Sequence, residues 1–214
     1  MNEAGLGRRG ALLEQADAAA LFLHGRGRST EDVLLLAERL GLPGLACLAA
    51  AAPAGTWYPE GFMAPVERNQ PHLDRALARL DALVVALGEK GHPPERIAWV
   101  GFSQGACLAC EYVLRHPRRW GALVAFTGGV IGPAGIPLAP TGDLAGTPVL
   151  LATADPDPWV PVSRVSETAR LFRAMNGVVA EQVYPGLGHE VSDDEIRAAR
   201  ALLSPWLTGA GAAR

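Results

Sequence analysis

The chain has 214 residues, of which 49% are hydrophobic and 19% charged. This composition supports a large buried core and excludes a disordered protein. The net charge is −3, from 19 Lys and Arg against 22 Asp and Glu, without a basic block, so nucleic acid is not an expected partner.

The sequence also argues against stable membrane insertion and against export. No apolar run reaches the roughly 18 residues that a membrane span needs. Arg8 and Arg9 resemble the start of a twin-arginine export signal, but Glu14 and Asp17 interrupt the apolar region that should follow. Three cysteines do not form a disulfide framework, and reduced cysteines fit a cytoplasmic protein. We therefore expect a cytoplasmic location.

Strand-like and helix-like patterns alternate along the whole chain. Residues 1–17 are predicted to be a loose N-terminal segment, with an edge strand as one option. From there the predicted order is strand 18–23, helix 30–40, strand 45–51, helix 71–87, strand 97–102, helix 104–116, strand 122–126, strand 149–154, helix 163–175, strand 178–184 and a helix from 192 to about 203 or 206. The alternation predicts an α/β fold with a mostly parallel sheet and helices on both faces. We expect one domain over 18–207 and a tail at 208–214.

The segment Gly101-Phe102-Ser103-Gln104-Gly105 lies between a predicted buried strand and an alanine-rich helix. This strand-turn-helix context is what gives Gly-x-Ser-x-Gly its meaning as a nucleophile motif. The sharp turn strains the serine backbone, and glycines two positions before and after it leave room. We predict that Ser103 is a nucleophile; a packing turn without chemistry is the alternative.

A serine hydroxyl needs a base, and the base needs an orienting group. His189 follows the last predicted strand in a loop with Gly186 and Gly188, which makes it the candidate base. The orienting acid should follow strand 149–154, where Asp155 and Asp157 are both available. We favour Asp157 because Asp-Pro-x-Val-Pro can hold a carboxylate in a rigid turn, whereas Asp155 could instead accept backbone N–H groups.

The loop after the first predicted strand reads His-Gly-Arg-Gly at 24–27. It is placed to supply one backbone N–H for a developing oxyanion, and we choose that of Arg26; the other donor is the N–H of Gln104 at the start of the helix. A dinucleotide-binding glycine motif is the alternative for this loop, but its third glycine is replaced by Thr30.

These four motifs, in this order, resemble the phospholipase/carboxylesterase family of compact α/β-hydrolases, relatives of the acyl-protein thioesterases. The resemblance spans roughly residues 18–207. It implies a serine hydrolase without a large lid domain that acts on carboxylic ester or thioester bonds and needs no metal or other cofactor. It also implies the triad Ser103, Asp157 and His189, with oxyanion donors at Arg26 and Gln104. Arg26 departs from the leucine that thioesterase-like relatives often carry in this loop.

Aromatic residues in the loops of the same edge are candidates for an apolar acyl pocket: Trp57, Phe62 and Trp159. The expected partner is a small-molecule ester or thioester. The sequence leaves open a thioesterase or lysophospholipase with long-chain substrates, a catalytically silent binding protein on the same fold, and a homodimer. It also leaves open whether the long loop at 130–147 closes over the site.

Overall fold

The computed structural model describes residues 6–135 and 139–212, and within them seven strands form one sheet in the order β1-β3-β2-β4-β5-β6-β7. The strands are β1 (Leu6–Gly10), β2 (Ala18–Leu23), β3 (Leu45–Ala50), β4 (Ile97–Phe102), β5 (Ala122–Phe126), β6 (Pro148–Asp155) and β7 (Val178–Pro185). The helices are α1 (Thr30–Leu40), α2 (His72–Glu89), α3 (Gln104–Arg115), α4 (Val162–Ala174) and α5 (Asp193–Ala212). β1 runs antiparallel to β3, and the other neighbouring strands are parallel.

Both faces of this sheet are buried, as predicted from the nearly continuous apolar strands. Alternate residues of β2 belong to different cores: Leu21 packs in one cluster and Phe22 in the other. Residues of α2, α3 and α4 cover the first cluster, and residues of α1 and α5 cover the second. The predicted α/β fold with helices on both faces is confirmed.

The two ends of the chain differ in how well they were predicted. The edge strand that was one option for the N-terminal segment forms, because β1 pairs with β3 from Leu6 to Gly10. The predicted end of the last helix, near residue 203 or 206, is wrong, because α5 continues through Pro205 to Ala212 and so includes the first residues of the segment expected to be a tail. Burial of Leu207 and Ala210 against the sheet stabilises this extension, and it outweighs the helix-breaking tendency of the proline. Residues 213–214 lie outside the described part of the chain.

The long loop predicted at 130–147 is described except for residues 136–138. Its first part is attached to neighbouring elements: the Ile131 N–H donates to Glu111 at 3.1 Å and the Gly132 N–H donates to the Phe62 carbonyl at 2.8 Å. Of the helices that the structure describes, none is both long and apolar enough to span a bilayer.

Candidate active site

Ser103 lies at the junction of β4 and α3, where it is the N-cap residue of the helix. Its backbone has φ 54° and ψ −119°, a region that L-residues rarely adopt. The Ser103 N–H donates to the carbonyl of Phe126 at the end of β5, with an N to O distance of 3.0 Å. The strained turn predicted from the motif is therefore present, and it is attached to the neighbouring strand.

The two glycines of the motif are required by close backbone contacts. A Cβ at Gly105 would lie 2.0 Å from the carbonyl oxygen of Leu23, and one at Gly101 would lie 2.5 Å from the Cα of Ala106. Both distances are far below van der Waals contact. Glycine at these positions lets α3 pack directly against the ends of β2 and β4, with Ser103 at the top.

The structure brings Ser103, His189 and Asp157 together in a hydrogen-bonded chain. His189 Nε2 lies 2.8 Å from Ser103 Oγ, and His189 Nδ1 lies 2.7 Å from Asp157 Oδ2. A neutral imidazole with its proton on Nδ1 satisfies both contacts, because Nδ1 then donates to the carboxylate and Nε2 accepts from the hydroxyl. The ring of Phe102 packs beside that of His189, with centroids 5.2 Å apart.

The two candidate aspartates occupy different environments. The side chain of Asp157 is fully buried, and its Oδ1 accepts the N–H groups of Trp159 and Val160, each at 2.8 Å. Asp155 is exposed at the end of β6, and its backbone carbonyl accepts the Gly186 N–H. The geometry therefore favours Asp157 over Asp155 as the partner of His189.

The N–H groups of Arg26 and Gln104 are both available near the serine. Gln104 is the first residue of α3, so its N–H has no acceptor within the helix. Within residues 6–135 and 139–212, neither N–H donates a hydrogen bond. Both residues line the same cavity as Ser103, and free backbone N–H groups beside a nucleophile are the kind of donor that stabilises an oxyanion.

The side chains of the same two residues hold the loop that follows β3. The Gln104 amide oxygen accepts the N–H of Trp57 at 3.0 Å, and its Nε2 donates to the Tyr58 carbonyl at 2.8 Å. The Arg26 guanidinium donates to the carbonyls of Pro59 and Glu60, at 2.6 and 2.5 Å. Arginine at position 26 thus has a structural role in this protein.

A cavity of about 440 Å³ opens beside Ser103. Phe62 and Trp159 line it, as the sequence predicted for the pocket. Trp57 is not among its lining residues, so its assignment to the pocket is corrected. The Trp57 side chain is buried and its Nε1 donates to the His24 carbonyl at 2.9 Å, which anchors the loop beneath the cavity. Tyr58, the next residue, lines the cavity instead.

A second cavity, of about 330 Å³, is also lined by His189. It shares Gly25, Arg28, Phe102 and His189 with the larger cavity, but Ser103 lines only the larger one. Apolar residues of α1 and the loop after β7 form much of its wall. The loop is held from α1, because Arg39 donates to the Val191 carbonyl and to Asp193, both at 2.8 Å.

Several residues of the site were missed by the sequence reasoning, although three of them stand beside a motif. Phe102 and Val160 lie within the serine and aspartate motifs, and Arg28 follows the glycine loop directly, so their positions at strand ends could have indicated them. The side-chain role of Gln104 carries no local signal, because its partners lie more than 40 residues away.

Cys107 also lines the larger cavity, one helical turn after Ser103. Burial raises the pKa of its thiol to about 12, so the thiol stays protonated near neutral pH. A protonated, buried thiol is a poor nucleophile. The described residues hold no group of three or more His, Cys, Asp or Glu side chains arranged for a metal ion.

The sheet order, the helices on both faces and the serine at the strand-helix junction define an α/β-hydrolase. A family model described as Phospholipase/Carboxylesterase matches residues 13–207, and the chain belongs to this family. The family that the sequence motifs indicated is therefore confirmed.

Individual relatives agree with this assignment. The chain is 28% identical over 205 residues to acyl-protein thioesterase 1 of Eremothecium gossypii, a match that covers 86% of each chain. A crystal structure of a phospholipase/carboxylesterase from Dyadobacter fermentans superposes with a TM-score of 0.88 at 42% identity, covering 93% of this chain and 95% of that one. The chain spans about half the length of the first curated relatives that it matches. One of them is acyl-protein thioesterase 1 of Gibberella zeae, which is 29% identical over a match that covers 56% of this chain and 52% of the relative.

Proposed function

We propose that the protein is a serine hydrolase that cleaves carboxylic esters through an acyl-enzyme intermediate. The observation that carries the proposal is the hydrogen-bonded chain from Ser103 through His189 to Asp157, with distances of 2.8 and 2.7 Å. This arrangement supports acyl transfer, because a serine hydroxyl needs a neighbouring base to accept its proton, and the base needs a carboxylate to orient it.

In this mechanism His189 Nε2 takes the Ser103 proton as Oγ attacks the ester carbonyl. The N–H groups of Arg26 and Gln104 donate to the oxyanion, where one such donor contributes about 3–4 kcal/mol of transition-state stabilisation. The imidazolium then protonates the leaving alcohol, and the acyl group stays on Oγ. His189 next activates a water molecule, which releases the acid and restores the serine. Asp157 holds the proton on Nδ1 throughout and stabilises the imidazolium.

The substitution Ser103→Ala tests this proposal. We expect kcat for a p-nitrophenyl ester to fall by about four orders of magnitude, since only binding and the backbone donors would remain. The parent protein should also be labelled by a fluorophosphonate probe on Ser103. An activity loss below about tenfold in the variant, or no labelling of the parent, would contradict the proposal and favour a silent binding protein.

A thioesterase or lysophospholipase is the second candidate. It is supported by the matches to acyl-protein thioesterases over most of their length and by the apolar lining of the larger cavity. Rates on p-nitrophenyl esters from acetate to palmitate, measured beside an acyl thioester, separate the two. A maximum at long chains or on the thioester would favour the second candidate.

We further propose a cytoplasmic protein that acts on a small ester or thioester without a metal or other cofactor. The location is supported by Cys47, Cys107 and Cys110, which are free and buried. A homodimer stays a prediction, which light scattering at micromolar concentration tests directly.

A further inference from the structure

The larger cavity has an uneven distribution of charge. Its charged lining residues, apart from His189, are Arg26 and Arg28, and no aspartate or glutamate of the described residues lines it. The rest of its wall is mostly apolar and aromatic, with Phe62, Phe102 and Trp159 among its members. The nucleophile therefore lies at the edge of an apolar cavity with two positive charges.

The two arginines differ in what their side chains do. The guanidinium of Arg26 is committed to the carbonyls of Pro59 and Glu60. The side chain of Arg28 is exposed and makes no hydrogen bond or ion pair within the described part of the chain, whereas its backbone N–H closes a turn onto the Gly25 carbonyl at 3.1 Å. Gly27 has a φ of +70°, so glycine is needed in this turn. The turn thus places in the wall of the cavity that contains Ser103 an arginine whose guanidinium has no hydrogen-bonded partner in the described part of the chain, although Asp32 is near enough to interact with it electrostatically.

The smaller cavity has a mixed electrostatic character, because it also contains carboxylates. Asp32 and Glu190 line it together with Arg28 and Arg39, and Arg39 is already paired with Asp193. His189 lines both cavities, and the histidine must reach the leaving group to protonate it. Because Ser103 lines only the larger cavity, the acyl group fits the larger cavity and the alcohol fits the smaller one. An anion on the alcohol would meet two carboxylates there.

We infer that Arg28 is a specificity-determining residue that binds an anionic group on the acyl portion of the substrate. This inference rests on the proposed function. The substrate class is an ester of a short dicarboxylic acid whose second carboxylate is free. A guanidinium donates two parallel hydrogen bonds to a carboxylate, which fixes the orientation of the bound group as well as its charge.

The test compares 4-nitrophenyl hydrogen adipate with 4-nitrophenyl hexanoate, which have acyl chains of six carbons and the same leaving group. In Arg28→Gln we expect the ratio of kcat/KM, adipate over hexanoate, to fall about tenfold, mainly through KM, because the contact forms in both the ground state and the transition state. The same ratio for Arg28→Lys should lie between that of the parent protein and that of Arg28→Gln. Raising the salt concentration from 0.02 to 0.2 M should lower the ratio in the parent protein, since exposed charges are screened.

Arg170→Gln removes the same charge from an exposed position on α4 and should leave the ratio unchanged. A second pair moves the anion to the alcohol: acetyl esters of 4-hydroxybenzoate and 4-hydroxybenzamide. The inference is overturned if the ratio of kcat/KM, adipate over hexanoate, is the same in Arg28→Gln as in the parent protein. It is also overturned if Arg28→Gln changes the ratio of kcat/KM for the two acetyl esters more than it changes the adipate ratio. Melting temperatures establish that the variants fold. Loss of hexanoate hydrolysis in Ser103→Ala tests the proposed function separately, because hexanoate carries no charge.

Discussion

Asp157 divides its two carboxylate oxygens between two tasks. Oδ2 accepts from His189, whereas Oδ1 accepts the N–H groups of Trp159 and Val160 and so fixes the position of the carboxylate itself. The side chain is fully buried, and these hydrogen bonds offset the cost of removing its oxygens from water. The turn after β6 therefore holds the acid in place for the imidazole.

The substitution Asp157→Asn should lower kcat by about 10²- to 10⁴-fold, because an amide can donate to Nδ1 and favour the wrong imidazole tautomer. The matched control is Asp155→Asn, two residues earlier and exposed, which should change kcat less than threefold. The measurement is steady-state hydrolysis of p-nitrophenyl butyrate. Equal losses in the two variants would contradict the assignment of the acid.

At the scale of single residues, the sequence predicted which side chains lie close together where a motif fixes both residue type and place. The structure brings Ser103, Asp157 and His189 together, since each lies in a loop after a parallel strand and such loops gather at one edge. Trp57 failed because loop aromatics have no periodicity that separates a side chain facing the cavity from one facing the core. Arg28 was overlooked because an exposed arginine in a turn looks like an ordinary solvated residue.

At the scale of secondary-structure elements, the close packing at the junction of β4 and α3 requires a residue without a side chain at position 105. A Cβ at Gly105 would overlap the Leu23 carbonyl, and backbone atoms cannot rotate away as a side chain can. A methyl group here must separate α3 from β2, and that displacement moves both Ser103 and the Gln104 N–H.

The substitution Gly105→Ala should destabilise the protein by more than about 3 kcal/mol, because overpacking against backbone exceeds the usual cost of an added methyl. Gly88→Ala is the matched control: Gly88 lies in α2 with open space around it, and alanine should stabilise the helix by about 0.5 kcal/mol. Urea unfolding of both variants measures the difference. A small effect at position 105 would contradict the close helix-strand contact.

The side chain of Gln104 connects α3 to the loop after β3. The substitution Gln104→Ala keeps the backbone N–H but removes the hydrogen bonds to Trp57 and Tyr58. We expect kcat/KM to fall about 10- to 100-fold through displacement of the loop and of the N–H donors. Labelling of Ser103 by a fluorophosphonate should persist, though more slowly. Gln70→Ala, whose side chain bonds Asp74 at the surface, serves as the control and should be active.

At the scale of the whole molecule, buried thiols lie on both sides of the sheet. Burial raises the pKa of Cys47 and of Cys107 to about 12, against an ordinary value of 9.0. Cys47 belongs to the cluster covered by α1 and α5, and Cys107 to the cluster on the opposite face. Only an unfolded chain can release these protons at pH 9 to 10.

The free energy of unfolding should therefore be unaffected by these thiols below pH 9 and should decrease as the pH rises from 9 toward 12. Between pH 9 and 10 the decrease is about 1 kcal/mol per thiol. Urea unfolding at pH 8, 9 and 10 with a reductant measures it. The double variant Cys47→Ala/Cys107→Ala, although less stable at pH 8, should show a smaller decrease, and an equal slope would contradict the burial argument.

The overall architecture was largely predictable because parallel strands buried on both faces have an unmistakable apolar pattern, and glycines and prolines separate them from the helices. The end of α5 was not predictable from local sequence. Pro205 favours an end of the helix at that point, and the burial of Leu207 and Ala210 in the second apolar cluster, which forms only in three dimensions, favours its continuation.

The loop after β3 has a consequence for altering substrate range. It forms one wall of the larger cavity, and it is held by the side chains of Arg26 and Gln104, whose backbone N–H groups are the proposed oxyanion donors. Substitutions that change the shape of this wall would therefore displace the proposed oxyanion donors as well as alter which acyl chains fit the cavity. The side chain of Trp159 has no such link: its ring is 72% exposed, and only its backbone N–H binds Asp157, so evolution or an engineer can exchange the ring while that hydrogen bond is kept.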